Sequence, residues 1–174
     1  MSGYRFDKLK MLVVDDNAHM RKLVYTIMQA FGTMHISEAP NGEKALVMLR
    51  DINPDVIILD WQMDGMTGIE FAKTLRTSKT TPNPFVPIIM LTGHTHIDHV
   101  RAARDAGINE FLAKPVSVKG MMTRLVAVIE HPRPFVRTAD YFGPCRRRRV
   151  EKYEGPERRA GVATSDAPKA QLAR

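Results

Sequence analysis

The sequence has almost no cysteine and no long apolar segment. Cys145 is the single cysteine among 174 residues, which excludes an intrachain disulfide and a zinc site built from cysteines. No stretch reaches the roughly 18 consecutive apolar residues that a membrane-spanning helix needs. The first residues, MSGYRFDKLK, lack the apolar centre of a signal peptide. We therefore predict a cytoplasmic protein with no membrane span.

Charge and proline are distributed unevenly along the chain. The net charge is +7, yet residues 1–130 contribute only +1, from 15 basic and 14 acidic side chains. Residues 131–174 contribute +6 and contain five of the 11 prolines. Hydrophobic residues make up 44% of the chain, which is enough for a packed core. We predict a neutral globular domain over 1–130 and a basic, proline-interrupted tail over 131–174.

Short apolar segments alternate with amphipathic ones in the first 130 residues. Three of the segments are apolar at consecutive positions, as in strands that are buried on both faces of a parallel sheet. The predicted strands are 11–14, 34–36, 56–59, 86–91 and 110–113. The predicted helices cover roughly 20–31, 42–52, 68–78, 96–106 and 117–130. Asn17 is the expected N-cap of the first helix, and Gly32 its expected C′ residue. The alternation predicts an α/β fold with a doubly wound parallel sheet.

Charged and hydroxyl side chains follow four of the predicted strands. Ligands of doubly wound sheets bind at the carboxyl ends of the strands, which here carry Asp15, Asp16, Asp60, Thr92 and Lys114. Carboxylates ~4 Å apart would repel by about 4 kcal/mol per pair, and their oxygens suit Mg²⁺. Any one of these residues could simply begin a solvated loop. Together they match the requirements of an aspartyl-phosphate site, with Asp60 as the candidate nucleophile.

Four motifs resemble the receiver domain of CheY-like bacterial response regulators. They are Val-Val-Asp-Asp-Asn at 13–17, Ile-Leu-Asp-Trp-Gln-Met at 58–63, Leu-Thr-Gly at 91–93 and Leu-Ala-Lys-Pro at 112–115. The resemblance covers about residues 8–130. It implies a flavodoxin-like (βα)5 sheet with strand order 2-1-3-4-5, and a regulatory phosphoacceptor rather than an enzyme.

The resemblance also implies a role for each site residue. Asp60 would accept a phosphoryl group from a histidine kinase or another phosphodonor. The ligands of Mg²⁺ would be Asp15, Asp16, Asp60 and the backbone carbonyl of Gln62. Thr92 and Lys114 would bind the phosphoryl group, and Phe111 would occupy the aromatic switch position. Asp64 departs from the family pattern, because many receivers have proline there.

The tail repeats a short motif. It is too short and too rich in proline and arginine for a helix-turn-helix unit, so we predict no DNA-binding domain. The pattern Tyr-x-Gly-Pro-x-Arg-Arg occurs at 141–147 and again at 153–159. Arginine can bond guanine with its planar fork, and both arginine and aromatic rings can stack on a base. Asp140 can accept hydrogen bonds from the N1–H and N2–H₂ edge of guanine. A duplicated motif would suit a ligand with two guanines and two phosphates, which is the composition of cyclic di-GMP.

The tail is similar to the arginine-rich C-terminal extension of CheY-like cyclic di-GMP effectors of the flagellar motor. The similarity lies in segments 133–137, 140–144 and 146–149. It implies a tail that is largely disordered without ligand and that folds around cyclic di-GMP. We hypothesise that the ordered tail packs on the last receiver helix or forms a surface for the motor switch protein, at the flagellar base. The predicted ligand-binding residues are Arg133, Arg137, Asp140, Tyr141, Phe142, Arg146, Arg147, Arg148, Arg149, Arg158 and Arg159.

Three other interpretations of the tail stay open at this point. Arg146 to Arg149 could bind the phosphates of a nucleic acid, with a steep salt dependence and no preference for the base. The tail could be a passive linker on a stand-alone phosphotransfer receiver, so that deleting residues 133–174 changes nothing. Cys145 lies next to four arginines, which leaves a redox role open.

Overall fold

The computed structural model describes residues 6–93, 97–146 and 163–165. The strands of the main sheet are β1 (Lys10–Val14), β2 (His35–Ala39), β3 (Val56–Asp60), β4 (Ile88–Thr92) and β5 (Glu110–Ala113). The helices are α1 (Ala18–Ala30), α2 (Gly42–Ile52), α3 (Gly68–Thr77), α4 (Ile97–Asp105) and α5 (Val118–Glu130). Each predicted strand and helix of the first 130 residues is present, with bounds shifted by a few residues.

The five strands are all parallel and lie in the order β2-β1-β3-β4-β5. Val14 pairs with Leu59, and Asp60 with Leu91, so β1, β3 and β4 end at the same edge of the sheet. The predicted flavodoxin-like (βα)5 fold and its strand order are therefore confirmed. We call this edge the carboxyl edge and the opposite one, where the strands begin, the amino edge.

The sequence signals for the element ends act as expected. The Asn17 side chain accepts hydrogen bonds from the backbone N–H groups of His19 and Met20, which makes it the N-cap of α1. Gly32 follows the C-cap of α1 with a φ of +85°, a left-handed conformation that favours glycine. The predicted strand 86–91 begins only at Ile88. Pro87 has no N–H for a ladder, although its carbonyl still accepts from the Ile57 N–H at 2.9 Å.

Apolar side chains cover both faces of the sheet. All five residues of β3 and of β4 are buried. One apolar layer contains Leu49 of α2 and Phe71 of α3, and the other contains Val24 of α1 and Leu125 of α5. Burial on both faces explains why the central strands are continuous apolar segments rather than alternating ones.

The first part of the tail forms a β-hairpin. Strand β6 (Phe135–Arg137) pairs antiparallel with β7 (Phe142–Pro144) and, on its other side, with β8 (Ala163–Ser165). The turn is held by a bond from the Thr138 N–H to the Tyr141 carbonyl at 2.8 Å. We did not predict these strands from the sequence. Disorder of the tail without ligand stays a prediction, but residues 131–146 have the defined structure described here.

The hairpin lies against the amino edge of the main sheet. Phe135 and Phe142 are buried, and each ring packs edge-on against Phe85 with centroids 5.2 Å apart. A small cavity of about 50 Å³ beneath the hairpin is lined in part by Asp55 and Asn109, which directly precede β3 and β5. Our hypothesis placed the ligand-ordered tail on the last helix or made it a surface for the motor switch protein, and it stays a prediction. The hairpin packs mainly on the segments that precede β4 and β5, and α5 contributes Val128 and Ile129 to the cavity wall.

A buried arginine joins the hairpin to the receiver body. Arg76 of α3 donates to the carbonyls of Gly107, Pro84 and Val86 at 2.6–3.2 Å, and to the side-chain oxygen of Asn109 at 3.1 Å. Its guanidinium also lies 5.1 Å from the centre of the Phe135 ring. Burial lowers the pKa of Arg76 to about 9, which still leaves it charged at neutral pH. Arg76 therefore fixes the amino edge and the hairpin together.

Candidate functional site

Three aspartates meet at the carboxyl edge. Asp15 directly follows β1, Asp60 is the last residue of the adjacent β3, and ligand oxygens of Asp15, Asp16 and Asp60 lie within 4.8 Å of one another. Asp15 and Asp60 are 0% and 6% exposed, whereas Asp16 is exposed. The group thus has a buried floor and one side open to solvent. Hard oxygen donors in this arrangement fit Mg²⁺, which keeps part of its water shell when it binds to proteins.

Lys114 provides a positive charge beside the aspartates. Its Nζ lies 2.8 Å from Oδ1 of Asp60 and 3.5 Å from Oδ2 of Asp15. Oδ1 of Asp60 also accepts a hydrogen bond from the Trp61 N–H at 2.8 Å. The Asp60 carboxylate is therefore held from two directions, by a backbone donor on its own loop and by a cation on the loop after β5.

The electrostatics of the site follow from burial and proximity. Burial raises the pKa of Asp15, as does the charge of Asp60, while the Asn17 N–H and Lys114 partly oppose the rise. Burial of Lys114 acts against its charge, but the hydrogen bond and ion pair with Asp60, together with the charge of Asp15, raise its pKa overall. The pKa values of Asp15 and Lys114 thus both depend on the charge of the neighbouring Asp60.

Asp16 is positioned by Asp64, the residue that departs from the family pattern. The Asp64 N–H donates to Oδ2 of Asp16 at 3.0 Å across the mouth of the site. The proline that many receivers have at this position lacks an N–H and could not make the bond. The departure therefore adds a backbone hydrogen bond as well as a carboxylate.

Arg21 supports the site, and the sequence analysis missed it. Its NH1 donates to the carbonyls of Asp15 and Asp16 at 2.8 and 3.3 Å, and its Nε pairs with Glu38 at 3.3 Å. The signal was its position four residues after the N-cap Asn17, one helical turn from the acidic loop. We read α1 only for its apolar face.

The other predicted receiver residues lie on or after the central strands. Thr92 is buried at the end of β4, and its carbonyl accepts from the Lys114 N–H at 2.8 Å. Gln62 is exposed on the loop that follows Asp60. Phe111 lies in β5, half-buried against the apolar layer of α2 and α3. The structure brings Asp15, Asp16, Asp60 and Lys114 into one cluster, and the individual roles of all seven residues stay predictions.

The predicted ligand-binding residues of the tail that the structure describes, 133 to 146, lie at the opposite edge of the sheet. Two arginines stack on aromatic rings: Arg137 lies 4.0 Å from the centre of Phe142 and Arg146 lies 4.2 Å from that of Tyr141. Arg133 has internal partners, since it donates to the carbonyls of Asn109, Ile108 and Cys145. Asp140 is exposed. The remaining residues, Arg147, Arg148, Arg149, Arg158 and Arg159, lie outside the described residues.

Comparison with known proteins identifies the family. Residues 11–126 match the model of the response regulator receiver domain. Chemotaxis protein CheY of Pseudomonas aeruginosa is 30% identical over 122 residues, which cover 70% of this chain and 97% of CheY. The regulator PhoB of the same organism is 33% identical, over 71% of this chain and 52% of PhoB. The solved structure of Vibrio cholerae CheY4 superposes with a TM-score of 0.63 at 32% identity, over 69% of this chain and 98% of CheY4.

Membership of this family explains the residues at the carboxyl edge but does not extend to the tail. Receiver domains bind Mg²⁺ at an aspartate cluster such as that of Asp15, Asp16 and Asp60. They are regulatory phosphoacceptors rather than enzymes, and they receive the phosphoryl group from a phosphodonor such as a histidine kinase. In the described part of the chain no helix is both long and apolar enough to cross a bilayer. The family match ends at residue 126, before the hairpin. On its fold, its aspartate cluster and these matches, the chain belongs to the CheY-like response regulator receiver family.

Proposed function

We propose that this chain is a cytoplasmic response regulator with two inputs at opposite edges of one sheet. Asp60 accepts a phosphoryl group at the carboxyl edge. The arginine-rich tail binds cyclic di-GMP at the amino edge and passes that signal to a protein partner, the flagellar motor switch. The observation that carries the proposal is the pairing of an aspartate cluster at one edge with a hairpin bearing two arginine–aromatic stacks at the other.

The phosphoryl-transfer step uses the geometry around Asp60. An oxygen of the Asp60 carboxylate forms the new O–P bond while the N–P bond of a phosphohistidine donor breaks, and the departing imidazole keeps the electron pair. Lys114, 2.8 Å from Asp60, and Thr92 at the adjacent strand end bind the oxygens of the arriving group. Asp15, Asp16, Asp60 and the Gln62 carbonyl would hold Mg²⁺, which would supply positive charge for those oxygens.

The test of this step is phosphorylation with a small phosphodonor. Incubation of the full chain with acetyl phosphate and Mg²⁺ should add one phosphoryl group, detected by intact mass. Asp60→Asn should abolish the addition, and Lys114→Ala should slow it. The exposed Asp51→Asn, which removes an acid on α2, serves as the control and should leave the rate unchanged. Full phosphorylation of the Asp60→Asn chain would disprove the assignment.

The hairpin supports the proposal for the tail. The guanidinium groups of Arg137 and Arg146 already have one face against an aromatic ring, which leaves the other face available to a guanine base. Phosphates of the ligand would neutralise part of the +6 charge of residues 131–174. The partner is proposed from the similarity to a protein that is named for chemotaxis.

Calorimetry of the full chain tests the ligand. We expect cyclic di-GMP to bind and cyclic di-AMP and GTP not to bind. The double substitution Arg137→Gln and Arg146→Gln should weaken binding at least tenfold, whereas Arg50→Gln on α2 should leave the affinity unchanged. Equal binding of both cyclic dinucleotides, with a steep loss of affinity in salt, would favour the nucleic-acid interpretation instead. An absence of binding would leave a receiver with a passive tail.

A further inference from the structure

Asp105 connects the receiver body to the arginine run of the tail. It is the last residue of α4, and its Oδ1 lies 3.3 Å from Nε of Arg146 and 3.2 Å from Nε of Arg104. Arg146 is the first of four consecutive arginines, and it stacks on Tyr141. The first arginine of this run is therefore already paired with a carboxylate of the receiver.

We propose that Asp105 is an internal competitor for Arg146, which an anionic ligand of the tail must displace. The proposal rests on the proposed binding of cyclic di-GMP. Asp105 occupies the Nε edge of the Arg146 guanidinium, so a phosphate that binds bidentately at that edge has to displace it. The side chains of Arg146 and Asp105 are 43% and 47% exposed, which lets a ligand reach the pair without unfolding of the hairpin.

Displacement of Asp105 has a consequence for α4. The carboxyl end of a helix carries partial negative charge, so a carboxylate on its last residue is unfavourable unless cations lie nearby. Arg104 and Arg146 are those cations. When a ligand takes Arg146, Asp105 is left with Arg104 and the last turn of α4 is less stable. That turn ends in the bonds from the Ala106 N–H to Ala102 and from the Gly107 N–H to Arg104, 3.0 and 3.1 Å long.

The first test measures affinity for cyclic di-GMP at low salt, with the full chain as wild type, Asp105→Asn and Asp51→Asn. Removing the competitor should make binding about two- to fivefold tighter, the range expected for loss of a half-exposed ion pair. Asp51→Asn changes the net charge equally on α2 and should bind as wild type does. The gain should shrink as salt is added. Equal affinity of wild type and Asp105→Asn, or the same gain in Asp51→Asn, would overturn the proposal.

The second test needs no nucleotide. Amide hydrogen exchange of the full chain should be faster at Ala106 and Gly107 in Arg146→Gln than in wild type. Arg146→Lys keeps the charge and should restore most of the protection, and Arg50→Gln should not differ from wild type. Unchanged exchange in Arg146→Gln would show that the ion pair does not stabilise α4. If no variant binds cyclic di-GMP, the proposed ligand is wrong, and this measurement still decides whether Asp105 and Arg146 are coupled.

Discussion

At the scale of single residues, the position of Asp60 depends on a glycine. Gly68 begins α3 directly against β3, and its N–H donates to the Trp61 carbonyl at 2.9 Å. A Cβ at Gly68 would overlap the Asp60 carbonyl oxygen and would come within 3.0 Å of the Met90 side chain. The backbone of Asp60, the candidate nucleophile, is thus packed against Gly68, where no side chain larger than hydrogen fits.

Gly68→Ala should therefore displace the Asp60 backbone and disturb the site. We expect a loss of about 1–3 kcal/mol in the free energy of unfolding, the usual cost of overpacking, together with slower phosphorylation of Asp60. Gly93 is the matched control for stability, because a Cβ there meets no atom within 4 Å. Urea unfolding of both alanine variants gives the comparison, and equal stability of the two would contradict the expectation.

Magnesium binding can be read from a residue next to the cluster. Trp61 is the single tryptophan of the chain, and its backbone N–H donates a hydrogen bond to the Asp60 carboxylate. We expect Mg²⁺ to change its fluorescence and to stabilise the fold, by about 2.7 kcal/mol at a hundred times the Kd. Asp16→Asn should raise the Kd, since it removes a carboxylate at the open side of the site, and Asp51→Asn should not. Stabilisation that is identical in Asp16→Asn would argue against this ligand set.

The sequence predicted some residues of the two edges and missed others. Asp15, Asp16, Asp60, Thr92 and Lys114 were predictable because each ends a strand or follows one within two residues, so a local pattern fixes its place. Arg21 was overlooked although it lies one helical turn from the acidic loop, whereas Arg76 was not predictable, since it binds carbonyls of segments that only the folded chain brings near. Arg133 stays a predicted ligand-binding residue, and in the structure it donates to three backbone carbonyls of the protein, which its local sequence does not reveal.

At the scale of elements, the hairpin depends on contacts that are distant in sequence. Strands β6 and β7 have three residues each and no alternating pattern of useful length. Their stability comes from Phe85 and Arg76, about fifty residues upstream, which pack against Phe135 and Phe142. Composition alone, with its prolines and arginines, therefore predicted a tail without structure, while the long apolar strands of the sheet were predicted directly.

Truncation of the buried ring should release the hairpin. Phe135→Ala removes a side chain that is 1% exposed, and we expect a loss of about 3 kcal/mol in the free energy of unfolding. Amide exchange should increase across residues 133–145, while the β3 and β4 amides remain protected. Val47→Ala on α2 is the control, because Val47 is 73% exposed and should cost little. A Phe135→Ala chain with wild-type exchange in the hairpin would contradict its docking.

The stability of the hairpin should fall at alkaline pH through Tyr141. Its hydroxyl donates to the Pro144 carbonyl at 2.7 Å, and burial raises its pKa, with partial opposition from Arg146, Arg133 and Arg76. A raised pKa in the folded state means that the stabilisation is complete below the ordinary tyrosine pKa of about 10 and is lost as pH rises through the folded value.

Tyr141→Phe provides the measurement of that effect. At neutral pH the wild type should be more stable by about 0.5–1.5 kcal/mol, the net worth of one hydrogen bond. The difference should begin to shrink near pH 10, where the unfolded tyrosine ionises, and should be lost as pH rises through the higher pKa of the folded state. Denaturant unfolding of both chains across a pH series measures the difference in unfolding free energy. A difference that stays constant with pH would show that ionisation of Tyr141 does not cause the alkaline loss of stability.

At the scale of the whole molecule, the two candidate sites are separated by the length of the sheet. Asp55 borders the cavity under the hairpin, and Asp60 closes the same strand at the other edge. Five residues of strand span about 16 Å. Groups this far apart that share no partner are expected to act independently on stability.

A double-mutant cycle tests this independence. Asp60→Asn should relieve carboxylate repulsion and stabilise the fold, Phe135→Ala should destabilise it, and the two effects should add within about 0.5 kcal/mol in the double variant. Urea unfolding of the four chains measures the sum. A larger discrepancy would mean that the two edges of the sheet are energetically linked.

The location of the hairpin also has a steric consequence. The chain leaves the receiver at the amino edge, immediately after α5, and remains there through Arg146. Under the proposed function, a kinase that approaches Asp60 and a partner that binds the hairpin would reach opposite edges of the sheet. Both could then be bound at once, and this small protein would bridge its phosphodonor and its target rather than release one before it meets the other.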